Sequence, residues 1–390
     1  MNPLPLYARD LRACGPVSDR PFVGRLVQEG TETGGASSIL LVRGPARQVR
    51  GEYRAQLAYE RPPGAAESPE STFVLGPSQR YLAEGDVVRI DPRRGSLSVL
   101  FRAASPFNTF LVTERCDNFC LMCSQPPKHA DDSWLVDELL HDVLPLLPDD
   151  TVNLGITGGE PGLLGERLVE LVAAIAGRLP RTSLHILSSG RAFVDASLAR
   201  SLGAVHHPDL MVGIPIYSDL AAEHDYVVQA RGAFDEAVRG ILRLAEADVP
   251  IEIRVVVHRI TAPRLASLAR FIARNLRFAT HVAFMGLEHV GFAKTNLDEL
   301  WIDPLDYAGV LAEAVAITKA AGMTVSVYNH QLCTLPPTLH PVARKSISDW
   351  KNVYVPECDG CAEKTSCGGF FASSTLRASR GIRAFATAHG

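Results

Sequence analysis

Long apolar runs are missing from the 390 residues: none reaches the ~18 positions that a membrane-spanning helix requires, and the mean hydropathy is only +0.07. Residues Met1–Asp10 lack the apolar core of a signal peptide, so the chain is expected in the cytoplasm, with no membrane partner. Repeats of fixed period and low-complexity tracts are absent as well. A near-average composition, 46% hydrophobic and 21% charged, argues against disorder. Nor does one sign of charge dominate. The net charge is −4; residues 1–104 hold 14 Arg and no Lys against 11 Asp and Glu, and the remainder holds 25 basic against 32 acidic residues. Without a basic stripe, no nucleic-acid partner is expected.

What is present is an uneven placement of eight cysteines. Cys14 and Cys333 stand apart, Cys116, Cys120 and Cys123 form one group, and Cys358, Cys361 and Cys367 another. In a reducing cytosol, such groups read as metal or cluster ligands rather than disulfides.

The patterning divides the chain. Residues 1–104 contain short β segments (Ser38–Val42, Ser71–Leu75, Asp86–Ile90, Ser96–Phe101) separated by turn chemistry at Gly44-Pro45, Pro62-Pro63-Gly64 and Asp91–Gly95, which predicts a small β-rich domain. From about 107, buried-strand runs (Thr109–Val112, Val152–Ile156, Leu184–Leu187, Leu210–Ile214, Ile251–Val257, His281–Met285) alternate with amphipathic stretches such as Arg167–Arg178, Ala233–Ala247 and Leu265–Asn275. Six strand–helix units imply an α/β architecture with a parallel sheet curled toward a partial (β/α)6 barrel of the TIM-barrel kind over 105–325. Residues 326–390 are a cysteine-rich extension whose last residues, Ala386–Gly390, read as frayed.

Ligand sites in such sheets lie at the carboxyl ends of the strands, and the first cysteine group follows the first strand. Cys116, Cys120 and Cys123 have the spacing C-x3-C-x2-C. Three thiolates on one loop can hold three irons of a cubane cluster and leave the fourth iron open; with a distant fourth ligand they could instead form a zinc site. Thr157-Gly158-Gly159-Glu160-Pro161 follows the second strand, where the glycines allow close backbone approach. Cys358, Cys361 and Cys367 read C-x2-C-x5-C, and with Cys333 they could close a second 4Fe–4S cluster or a four-thiolate zinc site; His330 is a further possible ligand.

The cysteine loop and the Gly-Gly-Glu turn resemble those of the radical S-adenosylmethionine (radical SAM) superfamily. The resemblance implies a 4Fe–4S cluster on Cys116, Cys120 and Cys123 whose open iron chelates S-adenosylmethionine. Reductive cleavage would then give a 5′-deoxyadenosyl radical. In its terms the Gly159 carbonyl and Glu160 receive the cofactor's ammonium group beside Gly158, Ser188 meets the ribose, and Arg254 pairs with the cofactor carboxylate or else with Glu252. Met122 stands where the superfamily usually has an aromatic residue against adenine, and Met285 would approach the same ring. More closely, Leu111–Pro127, Ser346–Asn352 and Gly368–Phe371 resemble the HxsC-type maturase of the His-Xaa-Ser peptide systems. That implies a ribosomally made precursor peptide as substrate, a sister radical SAM maturase as partner, and an electron donor such as flavodoxin or ferredoxin. His224-Asp225-Tyr226 and Gly232-Ala233-Phe234 resemble a segment of peptide-modifying radical enzymes. Two other readings remain: the same chemistry on a small molecule or RNA, and a non-enzymatic iron–sulfur or zinc electron-transfer protein, which would need no open coordination site.

Overall fold

The computed structural model describes residues 5–14, 19–28, 35–45, 52–60, 71–346 and 352–386. Pro62-Pro63-Gly64, most of the Ser346–Asn352 stretch and the last four tail residues lie outside them. Among the described residues no helix is long and apolar enough to cross a membrane.

The N-terminal part is one sheet of eight strands: β1 (Tyr7–Ala8), β2 (Arg12–Cys14), β3 (Phe22–Val27), β4 (Ser38–Pro45), β5 (Ala55–Glu60), β6 (Thr72–Val74), β7 (Val87–Asp91) and β8 (Ser96–Phe101), in the order β1-β8-β7-β3-β4-β5-β6-β2. All four expected β segments are there. β3 and β5 were not legible, because Gly24 and Ala55–Ala58 blur the alternation, while Gly44-Pro45 ends β4 rather than forming a free turn. Asp91–Gly95 is the turn of the β7–β8 hairpin, with Gly95 at φ +57°. The two outermost strands are consecutive in sequence and only three residues apart. Four residue steps separate Ala8 from Arg12, ~14 Å at most, so the sheet curls until its edges come close, and both edge strands are very short. Leu26, Ile39, Leu57, Phe73, Ile90 and Leu97 fill its interior, and Cys14 is buried at the end of β2.

The second sheet is parallel throughout and mixed with helices, an α/β architecture. Its strands β9 (Phe107–Thr113), β10 (Asn153–Gly158), β11 (Ser183–Leu187), β12 (Leu210–Pro215), β13 (Ile251–Val257), β14 (His281–Gly286), β15 (Thr324–Tyr328) and β16 (Ala343–Arg344) lie side by side in chain order. The sheet therefore has two strands more than the six counted from sequence. Residue 325 falls inside β15, a short segment beside Cys333 that reads as the start of the tail until its pairing with β14 is seen. Helices Glu166–Arg178, Ala233–Glu246, Leu265–Asn275 and Pro304–Ala320 cover one face. On β13, Ile251, Ile253, Val255 and Val257 belong to that core, so strand alternation sends Glu252, Arg254 and Val256 to the opposite face. A two-stranded ribbon, β17 (Asn352–Val353) with β18 (Phe370–Phe371), lies in the extension.

The two sheets are joined by more than a linker. Val23, Val87 and Phe101 share the core of the parallel sheet. Arg89 of β7 pairs with Glu138 at 3.1 Å and lies 4.2 Å from the ring centroid of Trp134, both on the helix Trp134–Glu138. Burial lifts the Glu138 carboxyl to about 7 even with Arg89 beside it. Arg89→Ala removes a ring contact and leaves a buried carboxyl without its cation, so we expect a loss of about 2 kcal/mol in denaturant unfolding.

Candidate functional site

Elements at the carboxyl ends of the parallel strands converge on the loop after β9. The Gly-Gly-Glu turn is fastened to the start of that loop, with Gly159 N–H donating to the Thr113 carbonyl and Glu160 N–H to the Arg115 carbonyl, both at 2.8 Å. A Cβ on Gly159 would lie 2.1 Å from the Arg115 carbonyl oxygen, and one on Gly158 would lie 2.3 Å from that of Thr113. The close approach that these glycines permit is thus to the end of β9 and the cysteine loop that follows it. Further along the loop, Phe119 and Leu121 donate to the Val228 and Val227 carbonyls at 3.0 and 2.9 Å, Asn296 Nδ2 donates to the Leu121 carbonyl at 2.9 Å, and Phe292 N–H donates to that of Cys123 at 2.8 Å. Asp225 accepts from the N–H groups of Gly232 and Phe234 at 2.6 and 2.9 Å, and His224 stacks on Tyr217. The His224–Phe234 segment accordingly builds the shelf on which the loop rests.

The three cysteines are only partly exposed. Burial pushes the Cys116 thiol up to about 12, with the charges of Glu160, Asp117 and Cys123 adding to it, and burial raises Cys120 further, with help from Cys123 and Cys116. Asn118 N–H points at Cys116 Sγ at 3.4 Å. Among the described residues no three His, Cys, Asp or Glu side chains form a group arranged to hold a metal ion, so the fit is tested on the surroundings of the sulfurs. Three soft, mutually coupled sulfurs on one loop suit an iron–sulfur group, whose positive irons would reverse the cost of ionising buried thiols.

The Glu160 carboxylate is buried and accepts from Ser188 Oγ at 2.6 Å, Ser189 N–H at 2.5 Å and Gly162 N–H at 2.7 Å. Burial raises its pKa against those donors. Ser188 is therefore spent on Glu160 in this structure, and no cation contacts the carboxylate among the described residues. Arg254 Nη1 donates to Glu252 Oε1 at 2.5 Å, the alternative that the sequence left open, and its Nη2 faces Met285 Sδ at 3.2 Å. Glu252 also meets His281 Nδ1 at 2.5 Å. Burial alone would raise Glu252, but His281 and Arg254 outweigh it and hold the carboxyl at about 2.

Met122, Arg254 and Met285 come together on a cavity of about 840 Å³. Thr157, Leu187 and Val256 line it from the strands, Val99–Arg102 from the N-terminal sheet, and Phe371–Ser373 from the extension. Each part of the chain thus contributes a wall.

In the extension, Cys333 joins Cys358, Cys361 and Cys367 around one small cavity, which sequence distance alone could not show. Backbone N–H groups of Gly369 and Phe385 point at Cys367 Sγ and Cys361 Sγ at 3.4 and 3.3 Å. Four sulfurs suit a closed metal group, iron–sulfur or zinc. His330 stands aside: its Nε2 meets Tyr307 Oη at 2.8 Å, its Nδ1 meets the Tyr328 carbonyl at 2.7 Å, and burial lowers its pKa to about 4. If the four sulfurs hold one metal group, Cys333→Ala should lower the metal bound per chain and leave any iron held at Cys116–Cys123 unchanged, measured by metal analysis of the variant and of a double variant lacking Cys120.

No family model matches the chain, and no curated protein is similar to it. Among solved structures it is similar to Streptococcus suis SuiB bound to S-adenosylmethionine, at 12% identity over 59% of this chain and 51% of that one, with a TM-score of 0.46. It is similar to native anSMEcpe with bound AdoMet and Kp18Cys peptide, at 15% identity over 71% of this chain and 91% of that one, with a TM-score of 0.48. A third is TsrM, a radical S-adenosylmethionine methyltransferase from Kitasatospora setae with cobalamin and a 4Fe–4S cluster bound, at 15% identity over 46% and 36%, with a TM-score of 0.33. The chain spans about half the length of SuiB.

Proposed function

We propose that this chain is a radical SAM enzyme, built as a partial barrel with a β-rich N-terminal domain and a metal-binding extension, that modifies a ribosomally made peptide. The observation that carries the reading is the fastening of the Gly158-Gly159-Glu160 turn to the Cys116–Cys123 loop at the strand ends, beside the cavity that Met122 edges. An electron carrier has no need of a buried carboxylate held next to an open loop. When bound, the cluster and S-adenosylmethionine would supply one-electron sulfonium cleavage and hydrogen abstraction.

The chain's own residues have separate tasks in this proposal. Cys116, Cys120 and Cys123 would hold three irons of the cluster. Ser188, Ser189 and Gly162 fix the Glu160 carboxylate so that it can accept an ammonium group without moving. Met122, Leu187 and Val256 give the cavity apolar walls that exclude water from a reactive intermediate. The four-cysteine site takes a second cluster, with zinc as the alternative. The peptide substrate, of His-Xaa-Ser type, rests on the likeness of Leu111–Pro127 and Gly368–Phe371 to HxsC-type maturases. Among the described residues the edge strands of the N-terminal sheet are only two and three residues long, too short to take an added strand, so the peptide would enter along the wall formed by Val99–Arg102. The test is anaerobic reconstitution followed by reduction with S-adenosylmethionine and the precursor peptide. A mass change in the peptide supports the reading; cofactor cleavage with an unchanged peptide would assign the chemistry to another substrate.

A further inference from the structure

The turn after β11, Ser188-Ser189-Gly190-Arg191, touches both halves of the site. Ser188 and Ser189 hold Glu160, and one residue beyond Gly190 the Arg191 side chain reaches the cysteine loop. Its Nη1 donates to the Asp117 carbonyl at 3.0 Å and to Asn118 Oδ1 at 2.6 Å, and lies 2.9 Å from Asp117 Oδ2. Its Nε donates to Glu236 Oε2 at 2.6 Å, in the first turn of helix Ala233–Glu246. The Arg191 side chain is 16% exposed, and Asn118 is buried, with its own N–H on Cys116 Sγ. A single planar guanidinium therefore spans from a helix to the residues between Cys116 and Cys120, and lysine, a point charge with one nitrogen, cannot reach both sides.

We propose that Arg191 is a positioning residue for the catalytic cluster: it clamps Asp117 and Asn118 so that Cys116 keeps its place, and its charge raises the cluster's reduction potential. The inference rests on the cluster reading of Cys116, Cys120 and Cys123. The sign follows from Coulomb's law. Reduction adds negative charge to the cluster, and a nearby cation favours it, whereas the Asp117 and Glu236 carboxylates oppose it.

The experiment compares Arg191→Gln, Arg191→Lys and Glu236→Gln with the unaltered chain. In the reconstituted protein the cluster potential is read by EPR-monitored titration; in the iron-free protein, hydrogen exchange is read at residues 116–123. Arg191→Gln should lower the potential and speed loop exchange about tenfold, the loss expected of a charged hydrogen bond. Arg191→Lys should speed exchange but leave the potential near its original value, and Glu236→Gln should raise the potential. Unchanged exchange and potential in Arg191→Gln would overturn the proposal, and so would a Glu236→Gln shift to lower potential. If Arg191→Gln cannot hold iron, the Glu236→Gln shift and the iron-free exchange still decide. Failure of the unaltered chain to form a reducible cluster would instead sink the cluster reading, and iron-free exchange would still report on the clamp.

Discussion

Gly159→Ala should cost the chain most of its iron at the Cys116–Cys123 loop, while the second cysteine site stays filled. The added methyl carbon would lie 2.1 Å from the Arg115 carbonyl oxygen, 2.5 Å from its carbon and 3.0 Å from Cys116 Cβ. The first two are backbone atoms, so no side chain can swing aside. Either the loop or the β10 turn must move, and the Glu160 N–H bond to Arg115 goes with it. Cofactor cleavage should fall at least 100-fold, in line with the cost of ~1 Å misplacement at a reacting centre. Iron content and thermal unfolding, measured together, separate this outcome from general misfolding: the melting temperature should drop by only a few degrees, because the strand cores below the turn are untouched.

Acid should destabilise the protein steeply between pH 6.5 and 4. His224, His258 and His330 are all buried, and burial lowers their pKa values to about 4, about 3 and about 4. An unfolded histidine titrates near ~6.5. Below that pH the unfolded chain binds protons that the folded chain refuses, so stability falls as pH falls; above it the three groups are neutral in both states and contribute no slope. Each proton is worth about 1.4 kcal/mol per pH unit, and three give about 4 kcal/mol per unit. By pH 5 the three together remove about 6 kcal/mol, comparable with the lower end of the 5–15 kcal/mol typical of folded domains, while Glu138, with its carboxyl lifted to about 7, opposes them by up to one proton over the same range. His258 isolates one share of this effect, since neither ring nitrogen has a partner among the described residues. His258→Phe should reduce the slope by about one proton without lowering stability at pH 7.5, as followed by thermal melts across the pH range.

Short-range signals in the sequence were legible, and long-range ones were not. The spacing of Cys116, Cys120 and Cys123 and the order of strands β9 to β14 follow from local pattern, because turn chemistry and apolar periodicity are written into neighbouring residues. The joining of Cys333 to the later cysteines depends on how β15 leads into the extension, and nothing near residue 333 records it. Arg191 reads as an ordinary residue after a Ser-Ser-Gly turn; its partners lie 45 and 73–74 positions away. Arg254 was ambiguous for a related reason: Glu252 sits two residues earlier on the same strand face, and only the packed strand shows that the pair closes. Gly158 and Gly159 signal close backbone approach without showing to what; the nearest atoms belong to Thr113 at the end of β9 and to Arg115 and Cys116 of the cysteine loop. That kind of approach between a turn and a distant strand end has no local signature.

The central claim is that the Cys116–Cys123 loop and the Gly-Gly-Glu turn form one centre for reductive cleavage of S-adenosylmethionine. Its most direct test is the yield of 5′-deoxyadenosine from anaerobically reconstituted, dithionite-reduced protein, compared with Cys120→Ala prepared in the same way. The account predicts 5′-deoxyadenosine from the unaltered chain and none above background from the variant. No product from the unaltered chain, or an equal yield from Cys120→Ala, would contradict it.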